Sequence, residues 1–232
     1  MPKTPHHKVG ALKAITERML GEMDSHPHAL LLQAQAKRLH DGVSALDSML
    51  ANQDPVHTKE AHALKIAKSA KQFDRIITDS INRAGDVLRN GLDDIQKRIE
   101  SKIDLKPNAF AEEVRSVFRG LKMADKADMI ERLVADNDGP ALAAIVKAPT
   151  VLTGITDQQR TQFEQMILNR HAAEELKERE DLEAVHSAYM RAQSVAEGYT
   201  SNLTDPRSIA AIQARQDKAK AATDSFEKTL EA

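Results

Sequence analysis

The sequence predicts an all-α protein, an elongated helical bundle with two long helices and a small module of short helices. Three observations carry this. No β-branched run between turn signals reads as a strand, and Ala, Gln, Glu, Lys, Arg and Leu dominate. Prolines stand where helices begin, twice behind an aspartate, as in Asp54-Pro55 and Asp205-Pro206. One stretch of about fifty residues keeps an apolar side chain every three or four positions.

Composition sets the frame. The chain has 232 residues, enough for one substantial domain or two small ones. Hydrophobic residues are 41% and charged residues 29%, the balance of a soluble protein. Aromatic residues are only 3% and Trp is absent, so Ala, Leu, Ile, Val and Met must build the core. A formal net charge of -2 argues against a globally basic nucleic-acid binder and against an acidic tail. With 0 cysteines, disulfides, thiol nucleophiles, Fe–S clusters and thiolate zinc sites are excluded. No stretch approaches the length of an apolar membrane span. The N-terminal MPKTPHHKVG lacks an apolar signal core, and Pro2 argues against N-myristoylation.

The elements follow in order. A first helix is expected from Val9 to Met23 and a second from Pro27 to Asn52, with Ser25 as its cap. A very long third runs from Pro55 to Leu105 and ends at Lys106-Pro107-Asn108. Its apolar positions are Ile66, Ala70, Phe73, Ile77, Ile81, Ala84, Leu88, Leu92, Ile95, Ile99 and Ile103, an eleven-residue repeat rather than a heptad. At 1.5 Å per residue it would be a rod of roughly 75 Å that needs partner helices. Gly85 and Gly91 flank the seam and mark either a close approach or a kink.

Short helices are expected at Ala109–Arg119, Ala124–Ala135 and Pro140–Lys147, separated by Gly120 and by Asp136-Asn137-Asp138-Gly139. Ala148 to Ile155 reads as a loop. Thr156-Asp157-Gln158-Gln159 is a capping box that opens a second long helix to Tyr199. Its middle, RHAAEELKERED, is almost wholly polar and suggests a segment that leaves the core for solvent or bridges to another subunit. The last helix starts at Pro206 with a thin stripe of Ile209, Ile212, Ala219, Ala222, Phe226 and Leu230, the pattern of a peripheral or partner-dependent helix. The organisation expected is 1–106, 107–155 as the compact module, and 156–232.

Candidate chemistry is sparse. Asp24, His26 and His28 have ligand types for zinc or nickel, against the plainer reading of a helix-capping turn. Glu183 and His186 form one Glu-x-x-His pair, whereas a di-iron bundle needs two, and His171 with Glu174 runs in reverse order. His57 and His62 are five apart and do not make a zincin pair. Asp136 to Gly139 resembles part of an EF-hand loop, but Val134 and Ile145 fall where its carboxylates belong. Phosphate-binding glycine loops and the nucleophile elbow are missing, and Asn202-Leu203-Thr204 is a sequon without a secretory signal. Lys65, Lys68, Lys71 and Arg75 share one face of the third helix and are candidate phosphate contacts; the plainer reading is a solvated helix face without aromatic residues to stack bases.

The stretch NDGPALAAIVKAPTVLTGITDQQ, residues 137–159, resembles a segment of uncharacterised helical proteins of tailed bacteriophages and prophages. There a short helix, an Ala-Pro and a Leu-x-Gly turn precede a long charged helix. The resemblance implies a phage setting and carries over no functional residue. Together with the seam it leads to one expectation: a non-enzymatic virion component, at the head–tail connection or inside the particle. It would work without cofactor or metal, as a homo-oligomer or packed against other virion proteins. Its contact residues would be Phe73, Ile77, Ile81, Leu88, Leu92 and Ile95. The alternatives are a DNA-interacting assembly factor using the four basic residues, a bacterial cytoplasmic scaffold, and a metal-dependent helical-bundle enzyme built on Glu183 and His186.

Overall fold

The structure, a computed structural model, describes residues 6–22, 26–203 and 205–230, without the side chains of 6–7, 20–22 and 230. It is all-α: among the described residues there are ten helices and no strand. They are α1 (His6–Glu22), α2 (Pro27–Ala51), α3 (Lys59–Ile103), α4 (Ala111–Gly120), α5 (Met123–Ala135), α6 (Gly139–Val146), α7 (Thr150–Thr153), α8 (Asp157–His171), α9 (Ala173–Leu203) and α10 (Pro206–Leu230). No described helix is long and apolar enough to cross a membrane.

Contacts divide the chain into two compact units, Met1–Leu88 with Glu183–Ala232, and Arg89–Leu182. The segment 107–155 lies wholly in the second.

In the first unit, α1 and α2 pack as a pair, burying Leu12, Met19, Leu32 and Leu39. The Gln33 amide ties them further by donating to the Met19 carbonyl at 2.6 Å. Across α3, burial falls on Ile66, Ala70, Phe73, Ile77, Ser80 and Ala84, at steps of 4, 3, 4, 3 and 4. The eleven-residue pattern is kept at Ile66, Ala70, Phe73, Ile77 and Ala84 and departs here at one place, where Ser80 is buried and Ile81 half-buried. The reason is chemical. Ser80 takes the buried position expected for Ile81 because it is part of a hydrogen-bond chain: the Tyr189 hydroxyl donates to Ser80 Oγ at 2.8 Å, and Ser80 donates to Gln35 Oε1 at 3.1 Å. Burial raises the Tyr189 pKa. Tyr199 donates to Asp47 Oδ1 at 3.0 Å, and burial first, then the aspartate, raises its pKa as well. Of the two readings of Gly85, a close approach or a kink, the close approach is not made there; one is made at Gly42. A methyl group there would lie 2.1 Å from the Phe73 ring, whereas Gly85 has open space.

The second unit surrounds α6, whose residues from Gly139 to Val146 are all buried apart from Pro140. α4, α5 and α8 pack on it, contributing Phe118, Ile130 and Ile167. The Asp138 carboxylate caps α6, accepting from the Ala141 amide at 3.0 Å, so the Asp136–Gly139 run is a helix stop and start. In the α3 portion of this unit, Gly91, Ile95, Ile99 and Ile103 are buried at steps of four.

Several boundaries differ from the sequence reading. α3 begins at Lys59, not Pro55. Asp54 spends its carboxylate on the Val56 amide in a turn, and Thr58 caps the helix by accepting from Ala61 at 3.1 Å. One turn of helix, α7, occupies part of the expected loop and ends on Gly154 with φ 64. The capping box at Thr156 and Gln159 forms with both reciprocal bonds. The helix it opens breaks at Ala172, with φ -133, so there are two helices where one was expected. The polar middle does not leave for solvent. Glu175 is buried and pairs with Lys102 at 2.7 Å, and Glu178 pairs with Arg98. The Lys102 hydrogen bond holds the Glu175 carboxyl below its ordinary pKa. His26 stands at the α2 N-cap, where its side chain does not cap the helix; Ser25, the expected cap, lies outside the described residues.

Candidate interaction surface

α3 and α10 both begin at well-made caps. Asp205 accepts from the Arg207 and Ser208 amides, each at 3.2 Å, and from the Ser208 hydroxyl at 2.5 Å. The Ser208 hydroxyl is the main reason its carboxyl stays below the ordinary range. Pro206 then supplies the fixed φ of a first helical residue. The early turns of these two helices, with the end of α9, enclose an open groove of about 980 Å³.

The predicted basic cluster divides here. Lys65, Lys68 and Lys71 line the groove. Arg75 lies in a neighbouring shallow depression with Asp74 and Asp79. All four basic side chains are exposed, and none is in an ion pair among the described residues. The groove's other wall comes from α9 and α10, with Thr200, Ser201, Gln213 and Gln216.

Beyond its start, the described side chains of α10 stand exposed. Ile209 and Ile212 are half-buried, and every residue from Gln213 to Thr229 is exposed, with Phe226 64% exposed. Exposed apolar side chains also occur in the second unit, where Phe110 precedes α4, Val117 lies on α4 and Val151 lies on α7.

The α3 contact candidates split as well. Phe73, Ile77 and Ile95 are buried, while Ile81, Leu88 and Leu92 are half-buried.

Among the described residues no three His, Cys, Asp or Glu side chains could hold a metal ion. The His26 and His28 rings stand 5.5 Å apart, but Asp24 lies outside the described residues. Glu183 is exposed, and His186 is half-buried with its pKa lowered by desolvation. His171 has its Nε2 2.7 Å from the Val134 carbonyl oxygen, which is a packing role.

The chain matches no protein-family model, no curated protein and no solved structure. Its surface is therefore read from its own residues.

Sequence reasoning missed Lys126. It is only 5% exposed, and its ammonium donates to the Thr153 carbonyl at 3.1 Å and the Gly154 carbonyl at 3.0 Å, 5.3 Å from the centre of the Phe118 ring. A signal was present: Lys126, Ile130 and Val134 recur every four residues, so the lysine holds an apolar position of α5. The α3–α10 groove had no comparable signal, because its two walls are about 140 residues apart in sequence.

Proposed function

We propose that this chain is a non-enzymatic assembly protein, a structural component of a tailed-bacteriophage virion that works as a homo-oligomer. It acts at the head–tail connection or inside the particle, and is found in the host cytoplasm while the particle is built. One observation carries the reading. α10 is a helix of 25 residues with an apolar stripe, and beyond its first turns none of its described side chains is buried. Most of a helix's stability in a protein comes from packing its apolar face rather than from propensity, so an uncovered stripe calls for a partner. Ile212, Ala219 and Phe226 recur every seven residues, one of the two positions of a coiled-coil seam. The phage setting rests on the resemblance of residues 137–159.

Sedimentation velocity of the native chain and of Phe226→Asp tests this. The native chain is expected to sediment as a defined oligomer. The variant should sediment as a monomer and keep its thermal stability, since Phe226 contributes nothing to the core. A native chain that stays monomeric at every concentration contradicts the proposal.

A further inference from the structure

The α3–α10 groove has a chemistry that self-association through the α10 stripe leaves unused. We propose that it receives an amphipathic α-helix of a partner protein that carries a row of carboxylates. The inference rests on the assembly reading and adds the partner's chemistry.

The floor of the groove is apolar, three alanines with a leucine and an isoleucine. Ala61, Leu64, Ala67 and Ala70 come from α3, and Ile209 comes from α10. Small residues let a second helix approach closely, and an apolar floor rewards a ligand with an apolar face. The edge is cationic. Lys65, Lys68 and Lys71 extend over about 9 Å of helix at 1.5 Å per residue. Glutamates spaced three or four apart on a partner helix cover the same span. These lysines have no ion pair among the described residues, so a partner's carboxylates need not displace an internal one. Thr200, Ser201, Gln213 and Gln216 make the facing wall neutral, and of the lining residues only Asp74, at one end, is a carboxylate. At about 10 Å across, two turns of helix roughly fill 980 Å³.

A nucleic-acid backbone fits this groove less well. A phosphate chain has no apolar face for the alanine floor, and no Phe, Tyr or Trp lines the groove to stack a base; the ring that does line it, His57, stands 3.0 Å from the Asp54 carboxylate.

The test is fluorescence anisotropy with a labelled helical peptide of about four turns, leucines on one face and glutamates beside them. The comparison probes are its scrambled sequence, the same helix with Gln for Glu, and a short DNA duplex. The protein is used full length, as native chain and as Lys68→Glu with Lys71→Glu. Both lysines are exposed, and circular dichroism confirms that the variant is folded. The acidic amphipathic helix is expected to bind saturably, more weakly as salt rises, and at least about tenfold more weakly to the variant. A helix with Lys in place of Glu should instead prefer the variant. Equal binding of the scrambled peptide, or no saturable binding, overturns the proposal. Tighter DNA binding that the same charge reversal abolishes assigns the groove to nucleic acid instead. Sedimentation of the native chain reads self-association independently, so failure of the groove and failure of the assembly reading are distinguishable.

Discussion

Gly139→Ala is expected to destabilise the second unit by about 3 kcal/mol, the upper part of the overpacking range. Gly139 is the first residue of α6, and the end of α3 lies directly against it. An added methyl carbon would stand 2.3 Å from the Ile103 carbonyl oxygen and 2.7 Å from that of Asp104. Both obstacles are backbone, so no side-chain rotation relieves them. The surroundings are also fixed. Asp104 ends α3 with φ 41, Asn137 turns the chain with φ 52, and Asp138 caps α6. Gly85→Ala is the control. No atom lies within 4 Å of its added methyl group, so it should gain up to about 1 kcal/mol in helix propensity. Urea unfolding of the two variants measures the contrast. Equal midpoints would contradict the packing described for α6.

Lys126→Met is the second large effect, with an expected loss of about 3 kcal/mol. Replacing a buried charge with a hydrophobe of similar length is often neutral. Here it is not, because one partner, the Thr153 carbonyl, remains buried. Without the ammonium it loses its donor, at a cost of about 1–3 kcal/mol, and the part-buried Gly154 carbonyl at the end of α7 loses one as well. The contact with the Phe118 ring is lost as well. Lys122→Met, at an exposed position, should stay within about 0.5 kcal/mol of the native chain. A Lys126→Met protein as stable as the native one would contradict the capping role.

What the sequence made legible was local. The box at Thr156 and Gln159 and the Asp205-Pro206 cap each satisfy their own amides within three residues, so both formed as read. The stop at Asp136–Gly139 is equally local. The misread features depend on distant partners. Ser80 is buried because Tyr189 reaches it from α9, and a search for apolar residues passes over a serine. Ala172 and its neighbours are good helix formers, so nothing in RHAAEELKERED announces a break. The flanking residues are held by Val134 and Lys102, both far away in sequence. Asp54-Pro55 reads as the start of α3, but the Asp54 carboxylate turns onto the Val56 amide and Thr58 caps the helix instead.

The candidate surface was half legible. The lysine row on α3 and the thin stripe of α10 were both visible as patterns in the sequence. That three of the four basic residues face α10 across an alanine floor, while Arg75 sits beside Asp74 and Asp79, required the fold.

The central claim is that α10 covers its stripe by association between chains. Amide hydrogen exchange across residues 213–229, followed from dilute to concentrated protein, tests it most directly. In dilute solution these amides should exchange nearly as fast as those of an isolated helix, since no described residue of the stretch is buried. As the oligomer forms, protection should rise there, centred on Ala219 and Phe226, while the cores of the two units stay unchanged. Protection of 213–229 that is the same at every concentration would contradict the account.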